Sequence, residues 1–291
     1  MYAVGNWEYE VPLLTLDQLV QHVRELPSLP DTTIKVLKMT DDPMASARSV
    51  SSAISVDVAL TSKVLKIANS AYYGMPRSVA TVNEAVLILG MQALRNLALA
   101  ASTYDMLRKE CAGYRLAVGE LWNHSLACAI AAQMITMKKR VGRPEEAFVA
   151  GLLHDVGKVV LNVHVAAQFQ AIIALAELDA VPFHEAEKFI LGFDHAEVGG
   201  KVAEHWNLPS PLCEAIAGHH SLPGGENTSW LTAAVYVANT LSHTVSQDVD
   251  IFEPKPIDPI ALKILLLQES DIEEIRDELG ERISQLRIGL E

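Results

Sequence analysis

No long uninterrupted apolar run occurs in this sequence, whose apolar stretches break well short of the roughly 18 residues that a membrane span needs. Its start has no basic segment followed by an apolar one, so it does not read as a secretory signal. Both absences predict a protein that is not membrane-attached, and the cytoplasm is the expected location. Cysteine is scarce: Cys111, Cys128 and Cys213 are widely spaced and form no C-x-x-C pair. That argues against a disulfide framework or a thiolate zinc site and predicts small apolar core residues. Positive charge is thin as well, with 23 Lys and Arg against 36 Asp and Glu and a net charge of −13. Such a field repels polyanions, and no nucleic-acid partner is expected. The one basic run, Lys138-Lys139-Arg140, reads as a solvated helix end. Alternating strand patterns and internal repeats are also missing.

Apolar residues at helical spacing are abundant. Half of the 291 residues are apolar, enough for a sizeable core. Thr15 and Gln18 form a capping-box pattern before Leu16, Leu19, Val20 and Val23. Leu26-Pro-Ser-Leu-Pro30 breaks this helix, because each proline disfavours helix in the residue before it. A second helix is expected from near Asp31 to Asp41-Asp42-Pro43. Further apolar faces follow at Val50, Ala53 and Ile54, and at Leu60, Val64, Ile67 and Ala68. Thr81 and Glu84 open another helix, and Gly90 separates it from one carrying Leu94, Leu97, Ala98 and Ala101. The class predicted is all-α. The divisions are an N-terminal segment at 1–14, a bundle of short helices at 15–110, a second helical subdomain at 111–245, and a linker with C-terminal helices at 246–291. A last helix, opened by Ser270-Asp-Ile-Glu273, carries Ile272, Ile275, Leu279, Ile283 and Leu286 on one stripe. That stripe could pack back on its own domain or pair with a second chain as a homodimer.

Among ten histidines, five sit where an explanation is needed. In Gly151-Leu-Leu-His154-Asp155-Val-Gly-Lys158, an adjacent His-Asp pair lies within apolar sequence, which is costly unless both side chains are satisfied. Neighbours on a helix point about 100° apart, so they flank one point only near a helix end or beside a metal. Lys158 lies one turn on, placed to pair with Asp155 or face a phosphate. His124 falls on the apolar face of Leu121, Cys128, Ala131 and Ile135. Asp194 and Glu197 bracket His195 as a helix start, and His219-His220 follows a helix that begins near Pro211. Asn239 is one polar side chain in an apolar helix. Singly, each has an ordinary reading as a hydrogen-bonded core or helix-end residue. Jointly, their order suits one metal site.

The order His124, His154-Asp155, Asn239 resembles the H…HD…D ligand set of the HD phosphohydrolase superfamily, with asparagine where the superfamily has aspartate. His195 and His219-His220 resemble the binuclear version found in HD-GYP phosphodiesterases. Leu26-Pro-Ser-Leu-Pro30, Ile54-Ser-Val-Asp57, Lys66-Ile-Ala-Asn69-Ser70-Ala-Tyr-Tyr-Gly74 and Glu84-Ala-Val-Leu-Ile-Leu-Gly90 are similar to stretches of the HDOD family. The resemblance spans roughly residues 15–245. It implies a divalent transition metal, mono- or binuclear, and the imidazole-rich set suits iron, manganese, zinc or nickel. Asp155 would bridge two ions, with His124, His154 and the Asn239 amide on one and His195, His219 and His220 on the other. Were the site active, Asp155 and Lys158 would serve phosphoester hydrolysis of a nucleotide or cyclic dinucleotide. Against that stand the amide at 239 and the stretch Ser221-Leu-Pro-Gly-Gly-Glu-Asn227, which lacks the Gly-Tyr-Pro loop of HD-GYP enzymes. The family resembles bacterial regulatory or scaffolding modules. Expected partners are signalling proteins or a phosphorylated small molecule.

Overall fold

The computed structural model describes residues 15, 16, 18, 19, 29–42, 44–69, 78–245 and 256–290. Residues 1–14, most of the first helix and of the Leu26–Pro30 break, residues 70–74 of the Lys66–Gly74 stretch, and most of the proline-containing linker lie outside the described residues. The Thr15–Gln18 box is within them. The Gln18 backbone N–H donates to Thr15 Oγ1 at 3.2 Å, and the Thr15 N–H donates to Gln18 Oε1 at 2.9 Å.

Helix dominates as the all-α reading requires, and no strand occurs among the described residues beyond one isolated bridge, Cys111 to Leu116. The first group comprises α1 (Asp31–Asp41), α2 (Ala47–Ser55), α3 (Val58–Ala68), α4 (Val82–Leu89) and α5 (Met91–Leu107). Local chemistry sets their ends. Asp42, held extended by the proline after it, closes α1. Ser46 and Ser49 cap each other at the start of α2, the Asp57 side chain accepts the Leu60 N–H, and Thr81 accepts the Glu84 N–H. Gly90 joins α4 to α5 at φ +86°, a conformation that favours glycine. Asn69 ties the end of α3 to Val79. Its amide donates to Val79 O at 2.9 Å and accepts from the Val79 N–H at 2.6 Å. Val36, Val50, Ile54, Leu60, Val64, Val82, Leu94 and Leu97 form the core of this group.

The long helix α5 serves two cores. Leu94 and Leu97 face the first, whereas Leu99, Ala100, Met106 and Leu107 enter a larger second one. That second core is built by α6 (Glu120–Lys139), α7 (Pro144–Leu153), α8 (Val156–His164), α9 (Phe169–Asp179), α10 (Phe183–Leu191), α11 (His195–His205), α12 (Ser210–Ala217) and α13 (Trp230–Val245). Helix α6 is buried on most sides, packed by α7 and α13. Its run of alanines lets those neighbours approach. At Gly157 the contact is tighter still: a Cβ there would lie 1.9 Å from the carbonyl oxygen of His195. Glycine at 157 is thus what lets α8 rest against the start of α11.

The C-terminal elements are α14 (Pro259–Leu265) and α15 (Glu269–Leu290). Ile272, Ile275, Leu279 and Ile283 are buried, and α15 lies along α6 and α13 of the same chain. Leu286 falls among residues whose side chains are not described. The helix opens at Glu269 rather than after Ser270, because Asp271 turns back to accept the Gln268 N–H at 2.8 Å. Lys138 and Lys139, expected as a solvated end, lie in the last turn of α6 and also clasp α15: Lys138 pairs with Glu274, and Lys139 lies 2.8 Å from Asp271. No helix among the described residues is long and apolar enough to cross a membrane.

Candidate metal centre

His154 and Asp155 occupy the break between α7, which ends at Leu153, and α8, which starts at Val156. Within a continuous helix their side chains would diverge; at the break both enter the same buried space. His154 Nδ1 lies 2.7 Å from Gly151 O, which directs its Nε2 inward. The two oxygens of Asp155 face different neighbours. Oδ2 lies 2.8 Å from Lys158 Nζ, 3.3 Å from His154 Nε2 and 3.6 Å from His124 Nε2. Oδ1 lies 3.3 Å from His195 Nε2 and 3.6 Å from His219 Nε2.

The remaining residues arrive from separate helices. His124 comes from the middle of α6, and its Nε2 is 3.0 Å from Asn239 Oδ1 of α13 and 3.3 Å from His154 Nε2. His195 opens α11, which Asp194 and Glu197 cap reciprocally as expected. His219 and His220 follow the end of α12; His219 Nδ1 lies 2.7 Å from Ile216 O, and His220 Nε2 lies 2.8 Å from His195 Nε2. Two groups result, His124–His154–Asp155 and His195–His219–His220, each with its ligand-type atoms within 4.8 Å of one another. All the residues singled out from the sequence, Lys158 included, meet here.

Two atoms test whether this arrangement fits a cation. Asp155 Oδ1 and His219 Nε2 are buried without a hydrogen-bond partner among the described residues. Orphaned buried polar atoms cost about 1–3 kcal/mol each, and here they point at each other. A cation between them would satisfy both, so the donor set fits a metal ion.

Ionisation follows the same division. Burial opposes charge on Asp155, yet His154 and Lys158 hold its carboxyl well below the usual range. Burial also disfavours the His154 imidazolium, but Asp155 raises it to about 10. His195 is raised to about 9 in the same way, against burial, by Glu187 and Asp155. Burial and neighbouring imidazoles push His124, His219 and His220 well below their ordinary value.

Sequence reasoning missed several neighbours. Glu187 of α10 is buried against His195, and Tyr114 contacts Glu187. His243 lies over His124 with ring centroids 4.4 Å apart, and His184 stacks on His220 at 4.0 Å. A signal for Glu187 existed: in Phe183-x-x-x-Glu187-x-x-Ile190-Leu191 a single acid interrupts an apolar stripe at helical spacing.

The family model of the HDOD domain matches residues 26–222 of this chain. The crystal structure of an HDOD domain protein with unknown function from Geobacter sulfurreducens superposes with a TM-score of 0.76 at 27% identity, covering 94% of this chain and 96% of that one. A "Putative phosphohydrolase" from Shewanella amazonensis SB2B superposes with a TM-score of 0.74 at 26% identity, covering 94% and 98%. An uncharacterized protein of Treponema pallidum (strain Nichols) is 28% identical over 211 residues. That match takes in 70% of this chain but only 39% of the relative's length. With the profile spanning well over half of its length and the helical architecture shared, this chain belongs to the HDOD domain family.

Proposed function

We propose that this chain is a regulatory module of signal transduction, built around a transition-metal centre and acting by binding a partner rather than by turning over a substrate. One observation carries the reading: four imidazoles lie within 3.6 Å of a single carboxylate, Asp155, and a fifth, His220, meets His195, while Asn239 offers an amide beside His124. His124, His154, Asp155 Oδ2 and Asn239 Oδ1 would hold one ion, and Asp155 Oδ1, His195, His219 and His220 the other. Such donors favour iron, zinc, nickel or manganese over magnesium or calcium. A metal-bound imidazole nitrogen carries no proton, so uptake would displace those on His154 and His195. When bound, the ions supply Lewis acidity toward a phosphoryl oxygen. An amide contributes no negative charge, however, and Lys158 already neutralises much of Asp155. The centre therefore suits holding the bundle or a phosphorylated ligand better than driving hydrolysis. Residues 15–110 would offer the partner-binding surface and 111–245 the centre.

A second reading, a metal-dependent phosphohydrolase, is favoured by Lys158, whose partly exposed ammonium beside Asp155 suits a phosphate. Elemental analysis of protein purified without chelator, with assays on a cyclic dinucleotide and a nitrophenyl phosphodiester, separates the two. Bound metal without turnover is the expected result. Turnover abolished by His154→Ala would replace the first reading with the second, and absence of metal even after reconstitution would remove the centre altogether. Gain of hydrolysis in Asn239→Asp would identify the amide as the restraint.

A further inference from the structure

Glu187 is fully buried beside the centre, yet it contributes no atom to either group of donors. A lone acid inside a helical core costs several kcal/mol unless its oxygens are used. Here both are. Oε2 accepts the backbone N–H of His195 at 2.9 Å and lies 2.6 Å from His195 Nδ1. Oε1 accepts the Tyr114 hydroxyl at 2.5 Å. With Nδ1 donating to the carboxylate, His195 Nε2 is left facing Asp155 Oδ1 and His220 Nε2.

Three of the other imidazoles have neutral partners. His154 and His219 are oriented by the carbonyl oxygens of Gly151 and Ile216, and His124 Nδ1 lies 3.4 Å from Ser242 Oγ. A carboxylate partner does more than a carbonyl, because it both fixes the tautomer and makes the metal-facing nitrogen more basic; its loss commonly costs 10–100-fold in affinity. Tyr114 holds the carboxylate from the opposite side. Its ring is set by Phe169, centroids 5.0 Å apart, and Lys158 Nζ lies 5.6 Å from the ring centroid.

We propose that Glu187 and Tyr114 are a positioning pair for His195, making the His195–His219–His220 group the tighter of two cation sites. This rests on the metal-centre reading and deepens it, by ranking the sites and naming what sets the rank.

The test is competitive titration of the full chain with zinc against a chromophoric chelator, comparing wild type with Glu187→Gln, Tyr114→Phe and His154→Ala. Glu187→Gln keeps the size and a hydrogen-bonding carbonyl but removes the charge. It should weaken the tighter class 10–100-fold and leave the weaker class in place. Tyr114→Phe should weaken the same class by about tenfold, the loss of one hydrogen bond to a charged group, and decides the matter should Glu187→Gln not fold. His154→Ala should weaken the other class. Unchanged tight binding in Glu187→Gln overturns the pair while leaving the centre intact. Equal weakening of both classes with a lower melting temperature of the zinc-free protein marks a purely structural role and overturns it too. Failure of the wild type to take up zinc removes the centre and the pair with it.

Discussion

Lys158 closes on Asp155 from one turn along α8, its Nζ 2.8 Å from Oδ2, so that one oxygen of the buried carboxylate is neutralised while the other is left to histidines. Asp155→Ala takes the carboxylate away from this mostly buried ammonium. Removing one partner of a buried pair costs about 3–5 kcal/mol, and urea unfolding of metal-free protein should show a loss of that order. Adding Lys158→Met to Asp155→Ala should restore part of it. If the single variant unfolds like wild type, the pair contributes nothing to the fold.

Gly157 predicts a second cost. With His195 O only 1.9 Å from where a Cβ would stand, Gly157→Ala must push α8 away from α11. Overpacking of this kind destabilises by about 1–3 kcal/mol, and backbone contacts yield less than side chains. The same shift moves His195 from Asp155, so metal uptake should fall along with the denaturation midpoint. Retention of both would show that the helices separate without disturbing the centre.

The cysteines should be inert in the folded protein. All three are buried and unpaired by disulfide, and burial pushes the Cys111 thiol up to about 11. Thiolate is the reactive form, so a thiol-reactive chromogen at pH 8 should label the native chain slowly and all three sites in guanidinium. Rapid native labelling of Cys111 would contradict its placement.

The clasp between α6 and α15 should respond to acid. A hydrogen bond from Lys139 holds the Asp271 carboxyl below its ordinary value, so the folded state binds this proton less readily than the unfolded chain. Its contribution is therefore present above the unfolded pKa of about 4 and is lost as pH falls through the lower folded value. Asp271→Asn should cost about 0.5 kcal/mol at pH 7, less at high salt, and nothing further below the folded value. An equal cost at both pH values would assign it to the Gln268 N–H contact instead.

Much of the local architecture is legible in the chain because it depends on residues three or four apart. The Thr15 and Asp194 boxes, the stop before Pro43 and the glycine at 90 act through their own neighbours. The His154–Asp155 pair could be singled out for a similar reason: two polar groups in an apolar run need a partner wherever that run folds. Glu187 was passed over because its purpose lies eight residues on at His195 and 73 residues back at Tyr114. The partners of Lys138 and Lys139 are not legible because the helix that receives them returns from more than 130 residues away.

Sequence alone therefore determined the all-α class, the helix ends that carry their own caps or breakers and most of the polar side chains that demand an explanation, since these follow from short-range hydrogen bonding and the cost of burying polar atoms. Only the tertiary structure decided which oxygen of Asp155 meets which imidazole, that a second buried acid braces His195, and that the last helix lies on α6. Those outcomes depend on packing between helices distant along the chain, and residue spacing does not encode the distances at which such helices meet.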